Sequence, residues 1–444
     1  MMNLPHMTFS ESVDRYFGVT ERGSNFKTEI WGGILIFLSM SYIIVVNPSM
    51  MAQAGMDKDA CYAATIIMSI IGTLVMALYA KFPVAQAPTM GVNAFFVYNV
   101  VIVMGFSWQQ ALAAVFLAGL IFFVICLSGI RKRVIDKIPS GLKYGITAGI
   151  GCFIVFIGLQ NAGLIVGAAT LVKLGDLSSP SVLLGLFCII FTLFLYSRKV
   201  TGSIIIGMIV SAIVGICIGV IDLPESIVSL PTTPDFGAFL DGFSTDLLDF
   251  QFVMIVVAFI FMQFFDSTGT LMATGGRAGI IDKDGNVQCD RALIADATAS
   301  LLSAPVGATP TGAYAESTVG IEAGARTGLA ALIVAVMFAL ALFIGPLFGI
   351  ITYSCTVGAM FIVGAAMIMS LKDVEWEDWP QAVSVLSTIL FMILTYSIAD
   401  GIAFGTLFYC VCMLGAKRAK EVSPIIYGLA VICLVYFIAV AVAL

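Results

Sequence analysis

Apolar runs close to the length of a membrane-spanning helix recur along nearly the whole chain, and no other feature constrains its fold as much. A helix needs about 20 apolar residues to cross a bilayer core. Hydropathy predicts such segments near 30–48, 61–80, 92–106, 109–130, 143–166, 181–197 and 202–221. A second set is predicted near 250–272, 291–304, 313–325, 328–350, 354–371, 381–398 and 400–415, with a further apolar stretch over 425–444. Only 11% of the 444 residues are charged, and mean hydropathy is +1.07. Soluble domains carry roughly a quarter charged residues, so this chain lacks the polar groups to clothe a water-soluble body. A soluble enzyme, a disordered chain and a fibrous repeat are all disfavoured. The expectation is an all-α polytopic membrane protein with 14 transmembrane segments.

The same counts narrow the chemistry. The one histidine, His6, sits in the polar N-terminal tail, and the ten cysteines lie mostly inside apolar runs. Cys410 and Cys412 are close in sequence, but their spacing matches no metal or redox motif. No metal and no cofactor are expected, and the cysteines read as packing thiols. No G-x-x-x-x-G-K-[ST] loop occurs to cradle ATP phosphates, so uphill movement of a solute has to draw on an ion gradient. Residues 1–26 are polar, mixed in charge and without an apolar core, unlike a secretory signal peptide.

Lysine and arginine concentrate in the cytoplasmic loops of membrane proteins. Arg15, Arg22, Lys27, Lys81, the cluster Arg131, Lys132, Arg133, Lys137 and Lys143, and the pair Arg198 and Lys199 fall on one side of the predicted segments. Arg277, Lys283, Arg291, Arg326, Lys372, Lys417, Arg418 and Lys420 join them. Of the 21 positive residues, only Lys58 and Lys173 fall on the other side. A cytoplasmic N-terminus in the plasma (inner) membrane is therefore expected. Asp222, Glu225, Asp235, Asp241, Asp246 and Asp249 decorate an outer loop over 222–249, so the net charge of −6 reads as a solvated exterior loop rather than a cation site.

An internal repeat appears near half the chain length. Pro83-Val84-Ala85-Gln86-Ala87-Pro88-Thr89 matches Pro305-Val306-Gly307-Ala308-Thr309-Pro310-Thr311 as P-V-x-x-x-P-T, 222 residues on. Met51-Ala52-Gln53-Ala54-Gly55 resembles Met272-Ala273-Thr274-Gly275-Gly276, and Asp57-Lys58-Asp59 resembles Asp282-Lys283-Asp284. An odd number of segments per copy, seven, requires the second copy to be inverted. The chain thus divides into a tail over 1–29, repeats over 30–221 and 250–415 separated by the acidic loop, and a tail over 416–444 with the extra apolar segment. Matched Gly/Pro-interrupted segments in inverted repeats point to a secondary transporter's binding site. Proline cannot continue a helix from the residue before it, so segments 3 and 10 are predicted as short extended pieces followed by half-helices.

Ionisable residues inside membrane segments are costly and mark functional positions. Gln263, Asp266 and Thr270 share one helical face amid Phe and Met; Glu316 opens the second proposed half-helix, and Asn93 falls near the matching position in the first. Asp296 lies between the two other acids in sequence. A buried acid that only bridges helices is the competing role, weighing most on Asp296, and Asn93 could simply pin two helices. Glu322 and Arg326 suggest a surface i, i+4 pair, and Asp373, Glu375, Trp376, Glu377, Asp378 and Trp379 an interfacial linker. Tyr42 and Asn47 are weaker candidates for the same cavity. Two acids, an amide and aromatic rings around helix ends suit a flat, neutral heterocycle with N–H and C=O edges. A carboxyl group taken out of water binds a proton more readily, which would couple such a site to the proton gradient.

At these residues the chain resembles the adenine/guanine/hypoxanthine permeases, the AzgA-like branch of the nucleobase cation symporter-2 families. The likeness is carried by the first span from Phe37-Leu38 to Asn47-Pro48, by the run Ala87 to Phe96, by Phe265 to Leu271, and by Ala315-Glu316-Ser317 through Gly324 to Gly328. It implies a uracil-permease-like fold of two inverted seven-segment repeats, with a core of segments 1–4 and 8–11 and a gate of segments 5–7 and 12–14. It also implies import of purine bases with protons, often by a homodimer in the lipid bilayer, with no nucleic-acid partner. Its substrate residues fall on Asn93, Asp266 and Glu316, with Thr89, Thr311 and Thr270 completing the candidate set. Proton coupling falls on Asp296, Glu316 or Asp266. Thr89 departs from the small residue expected there. The stretch Ala419 to Pro424 looks closer to guanine/hypoxanthine members than to adenine ones, with xanthine a further candidate. The rival readings are an anion transporter or channel of similar fold and an intramembrane enzyme using the paired acids.

The charge asymmetry sets a test of orientation. With the native cysteines replaced, Lys58→Cys is expected to react with a membrane-impermeant maleimide on intact cells, and Lys420→Cys only after permeabilisation. The reverse pattern would invert the topology.

Overall fold

The computed structural model describes residues 9–128, 139–169, 171–200, 202–223, 230–243, 250–280, 288–345 and 350–443. Arg131, Lys132, Arg133 and Lys137, the acids Glu225, Asp246 and Asp249, the motif at 282–284 and His6 lie outside the described residues. The first half of the chain forms helices α1 (Phe9–Phe17), α2 (Phe26–Met40), α3 (Ile43–Gln53), α4 (Lys58–Val75), α5 (Met90–Ala94), α6 (Trp108–Leu127), α7 (Ser140–Asn161), α8 (Pro180–Ser197) and α9 (Ser203–Cys217). The second half forms α10 (Phe250–Arg277), α11 (Asp290–Ser303), α12 (Ser317–Glu322), α13 (Gly328–Ala341), α14 (Tyr353–Ile368), α15 (Trp379–Leu394), α16 (Ile398–Gly415) and α17 (Pro424–Ala443). Among the described residues, seven helices are long and apolar enough to cross a membrane, Phe26–Gln53, Lys58–Ala80 and Gln251–Arg277 among them. Shorter apolar helices such as Met90–Val103 and Gly328–Ala341 lie between these. The protein is a multi-pass helical membrane protein.

Local chemistry fixes where these helices start. Asn25 accepts from the Thr28 N–H at the head of α2, and Asp57 from the Ala60 N–H at the head of α4. Ser107 and Gln110 form a reciprocal capping box on α6. The first span is broken at Ser41–Tyr42, between α2 and α3, and carries Pro48 inside α3. π-helical turns extend α4 through Met76–Ala80 and α5 through Phe95–Val103.

Beyond the short extended pieces expected in segments 3 and 10, the all-α expectation is corrected at one place. Helix α7 stops at Asn161 instead of running to 166, because Gly163 takes a left-handed φ of 72°. The chain then forms an antiparallel hairpin of β2 (Ile165–Ala168) and β3 (Leu171–Leu174). Strands β1 (Gln86–Pro88) and β4 (Thr311–Ala313) pair antiparallel inside the helical body, Gln86 opposite Ala313, Ala87 opposite Gly312 and Pro88 opposite Thr311. The segment predicted near 313–325 is correspondingly a strand followed by the six-residue α12.

Two groups of helices pack internally. One joins α2 to α6 with α10 to α13; the other joins α7 to α9 with α14 to α17. Contacts between the groups are thinner, through α2 with α9, α3 with α14 and α5 with α7. Within the first group α2 approaches the second half of the chain along small residues. A methyl on Gly33 would stand 2.6 Å from the Ala330 carbonyl oxygen, and one on Gly32 2.7 Å from the Ala325 methyl.

That approach brings in a side chain that sequence patterning does not single out. Glu29 is fully buried on α2. Its Oε1 accepts from the Arg326 N–H at 2.8 Å, and its Oε2 from the Thr327 and Ala330 N–H groups at 3.3 and 3.2 Å. A carboxylate from another helix thus satisfies the orphan donors at the head of α13 and complements its dipole. The expected Glu322–Arg326 pair does not form: Glu322 meets Arg277 at 3.0 Å, and Arg326 turns to the Ala325 and Ile321 carbonyls. Removing the clamp by Glu29→Ala is expected to cost about 1–3 kcal/mol, read as a lower melting temperature of the detergent-solubilised protein.

Candidate functional site

The β1–β4 pair is where the sequence-predicted residues meet. Neither three-residue strand has further strand neighbours, so side chains complete the bonding of their backbones. The Thr73 hydroxyl bridges both polar groups of Gln86, donating to its carbonyl at 3.0 Å and accepting from its N–H at 2.9 Å. Ser303 Oγ accepts from the Thr311 N–H and Ser317 Oγ from the Ala85 N–H. Asp296, fully buried on α11, spans the crossing: its Oδ1 accepts from the Ala313 N–H at 2.8 Å and from Gln86 Nε2 at 3.1 Å.

Around this crossing lie the other candidates. Glu316 immediately precedes α12, and the buried Tyr42 hydroxyl, at the break between α2 and α3, donates to its Oε1 at 2.7 Å. Asp266, on α10, lies within electrostatic range of Asp296, Glu316, Tyr42 and Tyr314. Tyr314 donates to the Pro88 carbonyl at 2.6 Å. Ser267, next to Asp266, lies with Asp296 and Thr89 around Gly312. Three acids on successive segments of the second half thereby lie near one another.

Asn93, fully buried on α5, donates through Nδ2 to Asn47 Oδ1 at 2.6 Å, while its own Oδ1 has no hydrogen-bond partner among the described residues. Gln263 accepts from the Ser300 hydroxyl, and its Nε2 is likewise buried without a partner. Of the threonines, Thr311 has a buried hydroxyl without a hydrogen-bond partner among the described residues, and Thr270 is half-buried on the Asp266 face. Thr89 turns its hydroxyl to the Pro310 carbonyl at 3.2 Å, where its own N–H also donates, so it serves the crossing's backbone. Tyr42 and Asn47 prove to be direct partners of Glu316 and Asn93. Their sequence signal was only their depth in the first span.

The two helix groups also touch through polar side chains, and those hydrogen bonds gather at one end of the bundle. Gln53 Nε2 donates to the Tyr353 hydroxyl, which donates to the Ser49 carbonyl. Asn99 Nδ2 donates to the Tyr396 carbonyl at 2.7 Å, and Asn161 Nδ2 to the Tyr98 hydroxyl at 3.2 Å. The Tyr98 and Tyr396 rings meet edge to face at 5.4 Å.

These features define a multi-pass membrane protein whose polar groups converge on a crossing of broken helices. The chain belongs to the Permease family, whose model matches residues 27–404; it is a permease and not an enzyme. Guanine/hypoxanthine permease PbuG of Bacillus subtilis is 40% identical to it over 95% of this chain and 99% of its own length. Adenine permease AdeQ of Escherichia coli is 36% identical over 93% of each. Among solved structures, the transmembrane domain of the cyanobacterial bicarbonate transporter BicA matches with a TM-score of 0.64 at 17% identity, over 84% of this chain and 96% of that one. The murine anion transporter Slc26a9 in its inward-facing state matches with 0.62 at 10% identity, over 94% and 74%. At such identities the likeness concerns the fold alone.

The tight contact at Gly312 makes the crossing testable. A methyl there would stand 2.9 Å from Thr89 Cγ2, so Gly312→Ala is expected to destabilise the protein by about 1–3 kcal/mol. Thr89→Ala removes that methyl, and the double variant is expected to lose less than the sum of the two singles. Thermal melts of all three check the coupling.

Proposed function

We propose that the protein is a proton-coupled symporter that imports purine nucleobases, taking guanine and hypoxanthine in preference to adenine. The observation that carries this is the convergence of Asp266, Glu316 and Asn93 at the β1–β4 crossing. Carboxylates and an amide oxygen accept ring N–H groups, amide and hydroxyl hydrogens meet ring oxygens, and the surrounding aromatic rings stack on a flat base. Relatives named guanine/hypoxanthine and adenine permeases, alignable nearly end to end, support the substrate class; the tail over 419–424 supports the preference.

In this reading Asp266 and Glu316 hold the base and Asn93 orients it. Thr311 and Thr270 add hydroxyls, and Thr89 holds the crossing in place. One of Asp266, Glu316 and Asp296 carries the proton. The chain is arranged as fourteen segments in two inverted seven-segment repeats, with half-helices in segments 3 and 10. Its N-terminus is cytoplasmic, and it works as a homodimer in the plasma (inner) membrane. Alternating access comes from movement of the first helix group as a core against the second as a gate. The anion-transporter reading is not favoured: the relatives that align end to end at 36 to 40% identity are nucleobase permeases by name, while the anion transporters share only the fold.

Uptake of labelled hypoxanthine in cells lacking their own purine permeases tests the reading. Uptake is expected to collapse with a protonophore and to be blocked better by guanine than by adenine. Asp266→Asn and Glu316→Gln, at normal membrane levels, are each expected to lower uptake by about a hundredfold, the scale of a lost charge-assisted hydrogen bond. Full activity in both would sink the assignment.

A further inference from the structure

The Asn93 amide ends a directed chain of hydrogen bonds whose polarity is set away from the crossing. At its start the Thr65 hydroxyl donates to the Cys61 carbonyl, 2.6 Å away on the same helix. A backbone carbonyl only accepts, so the Thr65 proton is committed and its oxygen is left to accept. It does so from Asn47 Nδ2 at 2.8 Å, which turns the Asn47 oxygen the other way. That oxygen accepts from Asn93 Nδ2 at 2.6 Å. The nitrogen of Asn93 is thus used, and its Oδ1 is left over, fully buried and without a hydrogen-bond partner among the described residues. Turning Asn93 over would set oxygen against oxygen at Asn47. Turning Asn47 as well would require Thr65 to give up the Cys61 carbonyl. A buried acceptor without a donor is costly, and this one can be relieved by a ligand that brings an N–H.

We propose that Asn47 and Thr65 are specificity-determining residues, holding Asn93 Oδ1 as a fixed acceptor for the ring N–H beside the C6 oxygen of an oxopurine. This rests on the purine-transport reading above. Hypoxanthine and guanine carry a hydrogen on N1. Adenine has a bare acceptor nitrogen there, which meets Oδ1 lone pair to lone pair. A site built for a donor rejects the analogue that lacks it far more strongly than an apolar pocket rejects a change of one methyl group.

Competition of labelled hypoxanthine uptake by unlabelled hypoxanthine or adenine gives the selectivity ratio at matched membrane levels. Thr65→Val keeps the side-chain shape but frees both amides to turn, so adenine discrimination is expected to fall on the order of tenfold while hypoxanthine uptake persists. Thr65→Ser restores the hydroxyl and is expected to keep the wild-type ratio, which a packing role for the threonine methyl would not give. Asn47→Ala breaks the chain at its middle and is expected to lower the ratio as well, which covers the case in which Thr65→Val fails to fold. An unchanged ratio in a folded Thr65→Val or Asn47→Ala protein would overturn the proposal, as would a wild type that takes adenine as readily as hypoxanthine. Absence of any purine uptake by the wild type would instead strike the transport reading, and the proposal with it.

Discussion

A backbone polar group at membrane depth must find a partner inside the protein, and the β1–β4 crossing is where this structure meets that demand. Breaking two segments at Pro88 and Pro310 releases N–H and C=O groups that no helix can satisfy. Two three-residue strands pair with each other, and Thr73, Ser303, Ser317 and Asp296 take up groups beyond the ladder. Everything near the site inherits its position from this arrangement. Residues Asn93 on α5 and Glu316 ahead of α12 follow the two strands closely, so the paired backbones fix how those polar groups stand relative to each other. Asp296 binds a backbone N–H of one strand and a side chain of the other, tying the two halves of the chain together at one carboxyl oxygen.

Much of this could be read along the sequence, because the governing signals were local. Apolar length announces a span, and a proline pair announces a break. The P-V-x-x-x-P-T matches at 83–89 and 305–311 contain or adjoin the two strands that pair. What stayed hidden depended on residues hundreds of positions apart. Tyr42 and Glu316 are 274 residues apart, and no periodicity within either segment foretells their hydrogen bond. Glu29 looks like an ordinary charge at the edge of a polar tail until α13 is brought against α2. Arg326 has Glu322 one helical turn before it, yet α12 ends at Glu322, so the spacing no longer places them on one helical face. The β2–β3 hairpin is hidden because Ile165, Val166 and Ala168 simply prolong an apolar run; Gly163 marks the end of the helix, and glycine is too common in membrane helices to signal it.

Small and polar residues divide the labour of holding such helices together. Lipid offers little hydrophobic drive for helix association, so close backbone approach and buried hydrogen bonds matter more than in water. Gly32 and Gly33 let α2 come near enough for Glu29 to reach donors on another segment. The contact of small residues and the carboxylate clamp are therefore one device: without the first, the second could not form. The same holds at Gly312, whose missing side chain leaves room for Thr89, Asp296 and Ser267 to crowd together.

The hydrogen bonds between the two helix groups collect around Tyr98, Tyr353 and Tyr396, at one end of the bundle. Parting the groups at that end requires water to enter and replace each lost partner, so the surface exposed there would already be suited to an aqueous vestibule.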